Sequence, residues 1–316
     1  RADAHRDHDR IYAVIRGVGS SSDGREKGIA APNSTAQALA IHRAFTSAGY
    51  SPGTVQFVET HGAGTPVGDP VEVAALWEVF RPHVGGGQRI GLGSVKAQVG
   101  HLLGAAGAAG LLRTVLALHH RTLPPTLNHT EPNPAIPWGE VPFDVITTAT
   151  PWGENVGGLP RRAGVSSFGF GGNNFHAAVE EYDTEYHGRL LGSAEVPGTR
   201  HAARGGQDAT GKAIAITGIG TILPDASGVE QAWQWLVDGK TAVREVPPER
   251  WEGRPDAFFD PDPDAEDKSY TRLGTFVPEP DFDAPRFRIP PNTARHIDPE
   301  QQLLLEAGYA APRDAG

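Results

Sequence analysis

Two histidines sit in stretches whose residue types suit acid/base or oxyanion chemistry. His61 lies in "FVETHGAGTPVGDPVE", residues 57–72, and His101 in "GSVKAQVGHLLGAAGAAG", residues 93–110. Gly62 and Gly64 let a ligand come close to the backbone beside His61. Asp69-Pro70-Val71-Glu72 reads as a helix start, with Asp69 as cap, Pro70 at a preset φ and Glu72 at the capping-box position. That places His61 on a turn between the strand "VQFVET" and a helix. The helix expected after His101 offers unpaired N–H groups, which keep an imidazole neutral and suit it to donate to a developing anion. Lys96 stands close enough to hold a carboxylate such as Glu72 in a buried pair.

A third stretch, "GVSSFGFGGNNFHAAVEEY" at residues 164–182, carries Gly169, Gly171 and Gly172 in one turn. Successive glycine amides there predict a nest-like anion site, and Phe168 and Phe170 either wall an acyl pocket or fill core. Alone, each stretch has a plain reading: a turn, a surface lysine, a core histidine. Two histidines with a lysine and a glutamate on adjacent strand-to-helix loops form a set that chance explains poorly. Such a set serves a nucleophile, yet the 316 residues hold no cysteine. That excludes disulfides and thiolate metal sites in this chain and suits a reducing cytoplasm. Methionine is absent too, and the polar opening "RADAHRDHDR" is not a signal peptide. An internal piece of a longer polypeptide is expected.

Texture divides the chain in three. Residues 1–182 alternate short apolar runs with helical patterns, as in "IYAVIRGVG" and "STAQALAIHRAFTSAGY", the rhythm of an α/β domain. Residues 183–212 lose periodicity and read as a linker. A second unit, 213–316, opens with the strand "AIAITGIG", continues with the helical "GVEQAWQWLVDG", and closes on a helix capped by Asp298 with Pro299 at its first position. So few strands predict an incomplete core for that unit.

Several functions are excluded. The net charge is −10, with most of the excess in residues 213–316, which disfavours nucleic acid and anionic membrane as partners. The most apolar window, 102–120, contains Arg113 and many glycines, so a buried soluble helix is expected rather than a membrane span. "TGIGTILPDASG" starts like a dinucleotide loop, but Leu223 and Pro224 stand where the fingerprint needs its third glycine. His119, His120 and His129 lack metal-ligand spacing, and a helix C-terminus explains the first two, so no metal is expected.

Taken together, the three stretches resemble the C-terminal half of a β-ketoacyl synthase (ketosynthase) of the type I polyketide and fatty-acid synthase kind, over residues 10–182. Residues 213–316 resemble the N-terminal start of a second ketosynthase, through "IAITGIGTILPDASGVEQAWQWLVDGKTAVREVPPERW", "DKSYTRLGTFV" and "HIDPEQQLLLEAGYAAPRDAG". The resemblance implies a thiolase-like layered αβαβα sandwich, incomplete here, that dimerises. It implies decarboxylative Claisen condensation, in which malonyl on an acyl carrier protein loses CO2 and attacks an acyl thioester held on cysteine. In the family that cysteine lies upstream of the first histidine. It would therefore precede the first unit, and in the second unit it would follow Gly316.

By the same resemblance His61 and His101 are the catalytic histidines, supported by Lys96 and Glu72. Thr65 contacts the phosphopantetheine arm, Phe168 and Phe170 flank the nucleophile, and Gly171 and Gly172 complete the pocket. The domain binds no cofactor of its own, its substrates arriving on the carrier protein's phosphopantetheine. Three departures stand out: Ala63 replaces a threonine of the usual HGTGT, Phe175 is bulky within the GGTNAH-like run, and DPEQQ replaces DPQQR. The rivals are a non-catalytic chain-length-factor-like partner, which retention of His61, Lys96 and His101 disfavours for the first unit, and a degradative thiolase. The latter would carry a cysteine in a glycine turn where this chain has Phe168–Gly172.

Overall fold

The computed structural model describes residues 2–24, 28, 31–192, 213–251, 254–277, 279–280 and 282–316. In chain order the elements begin with α1 (Ala2–Arg6), β1 (Ala13–Ser22), α2 (Ser34–Ala48), β2 (Phe57–Glu59), α3 (Gly68–Phe80), β3 (Ile90–Gly93) and α4 (Lys96–Val99). Then follow α5 (Ala106–His120), β4 (Thr122–Leu123), β5 (Phe143–Val145), β6 (Thr150–Pro151), β7 (Arg162–Phe168), β8 (Asn173–Glu180) and α6 (Thr184–Gly192). After residues 193–212 come β9 (Ile214–Ile216), β10 (Ile222–Leu223), β11 (Ala226–Ser227), α7 (Val229–Val237), β12 (Arg244–Glu245), α8 (Pro255–Phe258), β13 (Leu273–Gly274), α9 (Pro291–Ala294) and α10 (Pro299–Ala315).

Seven strands make one mixed sheet in the order β5-β3-β2-β7-β8-β1-β9. From β5 to β7 the strands are parallel, and β3, β2 and β7 are fully or largely buried, as strands with helices on both faces must be, while the edge strand β5 buries only Phe143. β8, β1 and β9 each run antiparallel to the strand before them in that order. The α/β class expected from sequence holds, and three of the implied layers are present. α2 and α3 bury Ile41, Phe45, Leu76 and Phe80 on one face. α5 buries Val115, Leu116 and Leu118 on the other, joined there by α7.

Local chemistry explains the elements that carry the site. Asn33 caps α2 by accepting from the Thr35 and Ala36 amides, and Gly49 ends it at φ 72°. Gly17 and Gly19 let α2 lie directly on β1, since a Cβ at either would fall on the carbonyl oxygen of Ala44 or Ala40. α5 is the buried helix expected from 102–120, with His119 and His120 in its last turn. Among the described residues no helix is long and apolar enough to cross a membrane.

Two expectations need correction. Residues 184–192, expected as linker, form α6, because Asp183 accepts from the Tyr186 amide and the buried His187 Nε2 lies 2.9 Å from Glu180 Oε1. The rest of that stretch, 193–212, lies outside the described residues. The second unit also does not stand apart on an incomplete core. β9 extends the sheet through β1, and Trp233, Trp235 and Leu236 share one core with Val99, Val115 and Leu116. Gln98 donates to the carbonyls of Leu236 at 3.0 Å and Lys240 at 3.2 Å, and the Thr275 hydroxyl donates to Val99 O at 2.8 Å. The His120 ring stacks on Trp233 with centroids 4.3 Å apart and planes 6° from parallel. Spacing rules find strands but cannot show that β9, at Ile214–Ile216, pairs with β1, at Ala13–Ser22.

Candidate active site

β2 and β3 run parallel and end side by side, and the turns after them bring His61 and His101 together. Their ring centroids lie 5.5 Å apart at 77°. In each ring the same nitrogen is occupied. His61 Nδ1 accepts from the Phe168 amide at 3.3 Å, and His101 Nδ1 accepts from the Leu103 amide at 3.0 Å. An imidazole that accepts at Nδ1 is neutral with its proton on Nε2, so both rings present an N–H donor. Burial, then the charge of Lys96, then His101, push the His61 pKa down to about 4. Burial and Lys96 lower His101 as well. Both rings are therefore neutral N–H donors at neutral pH, and both residues line one cavity.

The supporting carboxylates are present in roles other than those expected. α3 begins at Gly68 with Val67 at its cap and no side-chain cap bond, so neither Asp69 nor Glu72 caps it. Glu72 reaches back, accepting from the His61 amide at 2.7 Å and the Gly62 amide at 2.9 Å, while Asp69 accepts from the Gly64 amide at 3.1 Å. Gly62 and Gly64 hold φ of 50° and 70°, and that reversal leaves amides with no strand partner, which the acids satisfy. Burial raises the Glu72 pKa to about 7, against the pull of those two amides. Lys96 makes no ion pair within 4.0 Å to Glu72, so the expected direct pair does not form. Its ammonium feels Glu59, Glu72 and Asp69 from a distance, while burial lowers its pKa.

The third stretch contributes one wall. Phe168 is buried and its ring lies 5.8 Å from His61. Phe170 is 89% exposed at the rim. Two of the amides expected to form an anion nest are taken, the Gly169 amide bonding Asn173 O at 2.7 Å and the Gly172 amide Gly169 O at 3.1 Å. Those bonds close the β7–β8 hairpin, and Gly171 and Gly172 stay outside the cavity lining. Hairpin closure competes with anion binding for the same amides, and here the hairpin takes them.

His61, His101, Thr65, Phe168 and Phe170 share a cavity of about 740 Å³, with Val67 and Leu103 as an exposed apolar rim. Thr65 Oγ1 accepts from the Gly68 amide at 2.9 Å, leaving its hydroxyl proton to donate. Asp23 and Asn174 line the same cavity and bond each other at 2.7 Å. Nothing in their sequence context announced them, since they are 151 positions apart and meet only through β1–β8 pairing. Among the described residues no cluster of three metal-ligating side chains occurs.

With this geometry in place, the comparisons with known proteins agree with one another. Residues 12–130 match the β-ketoacyl synthase C-terminal domain, 132–193 the ketoacyl-synthetase C-terminal extension, and 211–316 the β-ketoacyl synthase N-terminal domain. The chain belongs to the ketosynthase family, with these parts in that order.

A polyunsaturated fatty acid synthase subunit of Thraustochytrium sp. is 47% identical over 191 residues, 58% of this chain and 7% of that protein. A phenolphthiocerol/phthiocerol polyketide synthase subunit of Mycobacterium tuberculosis is 45% identical over 179 residues, 57% of this chain and 9% of that protein. Among solved structures, the ketosynthase from module 6 of the bacillaene synthase from Bacillus subtilis 168, as its C167S mutant, superposes with a TM-score of 0.55 at 42% identity. That match covers 58% of this chain and 34% of the ketosynthase. The chain thus spans less than a tenth of these curated relatives.

Proposed function

We propose that residues 1–192 carry the histidine-bearing half of a ketosynthase site, within a polyketide- or fatty-acid-type condensing enzyme. The observation that supports this most is the pair of neutral imidazoles, each bonded at Nδ1 by a backbone amide and both lining one cavity. In decarboxylative Claisen condensation the bond from the malonyl α-carbon to its carboxylate breaks, CO2 leaves, and the electron pair passes to the α-carbon and thioester oxygen. Two converging N–H donors stabilise that enolate oxygen without having to reorganise. The α-carbon then forms the new C–C bond to the acyl carbonyl and the acyl thiolate departs.

Malonyl and acyl thioesters are the proposed substrates, delivered on the phosphopantetheine of an acyl carrier protein through the cavity bounded by Thr65, Val67, Leu103 and Phe170. At position 63 alanine supplies no hydroxyl, so Thr65 alone offers that contact. Lys96 and Glu72 act behind the histidines, Glu72 by fixing the turn amides. The reaction makes the parent protein an acyltransferase, and dimerisation through ketosynthase faces goes with the reading. This chain has no cysteine to hold an acyl group, so the 316 residues by themselves carry out no condensation.

Adding malonyl-pantetheine to the purified chain tests the reading. Saturable shifts are expected in the imidazole NMR signals of His61 and His101 but not in those of the remote His42. No shift of either ring at millimolar ligand contradicts it, as does condensation by the isolated chain.

A further inference from the structure

We propose that Glu59 and Arg113 are the positioning pair of this site: a buried carboxylate and guanidinium that lock the His61 turn to the Lys96–His101 turn and set a carboxylate against the backbone that carries Lys96. The proposal rests on the ketosynthase reading of the histidines. It assigns work to two residues that touch neither ring.

Glu59 ends β2 two positions before His61 and is 1% exposed, and Arg113 on α5 is fully buried. One carboxylate oxygen of Glu59 accepts from the Val95 amide at 2.6 Å, on the turn that presents Lys96. Its other oxygen pairs with Arg113 Nη1. Arg113 Nη2 goes on to donate to Pro124 O at 2.7 Å and Pro125 O at 3.2 Å. A single ion pair therefore joins β2, the β3–α4 turn, α5 and the segment after β4.

The backbone makes room for it. A Cβ at Gly93 would lie 2.6 Å from Arg113 Nη1, and one at Gly110 would lie 3.1 Å from Glu59 Cγ. Part of the glycine content of "IGLGS" and "GAAGAAG" is thereby explained by a pair of charged side chains rather than by close helix packing.

Stability is a poor reason for the arrangement. Buried ion pairs are commonly matched or exceeded by apolar residues of similar volume. Here Arg113 Nε is also buried without a partner, a further cost. What the pair supplies that apolar residues do not is direction and charge. Among the charges acting on Lys96, Glu59 comes first, ahead of Glu72 and Asp69. Lys96 in turn acts on both histidines.

The test follows the His61 and His101 imidazoles and the Lys96 amine by NMR titration in the full chain, for wild type, Arg113→Lys, Arg113→Met, Glu59→Gln and the double variant E59Q/R113M. Arg113→Lys keeps the charge and is expected to titrate like wild type. Glu59→Gln is expected to lower the Lys96 pKa by about one pH unit, because the carboxylate that favours its charged form is gone. Arg113→Met leaves the Glu59 carboxylate without its partner and is expected to move the Lys96 titration as well.

If Arg113→Met does not fold, the double variant carries the readout with no unpaired charge buried. A purely structural role would lower thermal stability and leave the titrations of the folded variants unchanged. Titrations of all three groups within about 0.2 pH unit of wild type, in folded Glu59→Gln and in the double variant, overturn the proposal. None of these measurements needs ligand or turnover. They can fail while malonyl-pantetheine still shifts the histidines, and they can succeed where it does not.

Discussion

β1 with α2, and β9 with α10, are the same device used twice in one sheet. Each has two glycines spaced by two, within the strand in β1 and just after it in β9, and each glycine faces a helix carbonyl. Gly17 and Gly19 face Ala44 and Ala40, and Gly218 and Gly220 face Ala311 and Ala307. The outcomes differ. α2 buries eight residues between the sheet and α3, whereas α10 buries none and leaves Leu304 73% exposed. Close approach is therefore a property of the glycine pair, while burial is a property of what lies beyond the helix. The comparison also disposes of the dinucleotide-like "TGIG", whose glycines serve helix packing.

The largest expected effect tests whether the two regions are one body. Trp233 is packed in the common core and stacked on His120, so Trp233→Ala is expected to cost about 3–5 kcal/mol. Denaturant unfolding followed in both regions should remain a single transition. Separation into two transitions, with only the later region shifted, would break the comparison by making the regions independent.

A methyl added to each half of the device sharpens it. Gly19→Ala is expected to overpack the core and lower global stability by about 1–3 kcal/mol, whereas Gly220→Ala should free α10 locally. Hydrogen exchange distinguishes them: Gly220→Ala should lose protection in 299–315 alone.

Acid probes the first region next. His176 is fully buried on β8 and burial lowers its pKa to about 3, so on acidification the unfolded chain binds that proton first. The stability it maintains is whole above pH 6.5 and drains as pH falls toward 3, by about 1.4 kcal/mol per pH unit. Glu72, raised to about 7, works in the opposite sense, with stability draining as pH rises from 4.5 to 7. His176→Gln should therefore flatten the acid limb of the stability curve relative to wild type. An unchanged slope would mean that His176 is not held neutral. The smallest effects are the caps: Asn33→Ala and Asp298→Ala should each cost about 1 kcal/mol, globally for α2 and locally for α10.

Much of this was legible in the residues themselves, because local rules decide it. Strand rhythm, the Asp298–Pro299 helix start and the buried character of α5 follow from short-range pattern, whereas the meeting of His61, His101 and Phe168, 107 positions apart at its widest, is expected only through the family resemblance. What stayed hidden depends on competition for the same groups. Asp69 and Glu72 look like caps, but the glycine turn leaves amides in greater need of an acceptor. Gly169 and Gly172 look like a nest, but the hairpin uses their amides. Arg113 looks like a reason against a membrane helix, and only three-dimensional packing shows Glu59 beside it. The joining of β9 to β1 is a long-range pairing that no window contains.

The measurement that bears most directly on the central claim is the tautomer and titration of His61 and His101 in the wild-type chain, by long-range proton–nitrogen correlation NMR. Both rings are expected as Nε2–H tautomers at neutral pH, with His61 staying neutral until the pH approaches 4. A His61 imidazolium at pH 6, or a proton on Nδ1 of either ring, would contradict the claim that two neutral donors face this cavity.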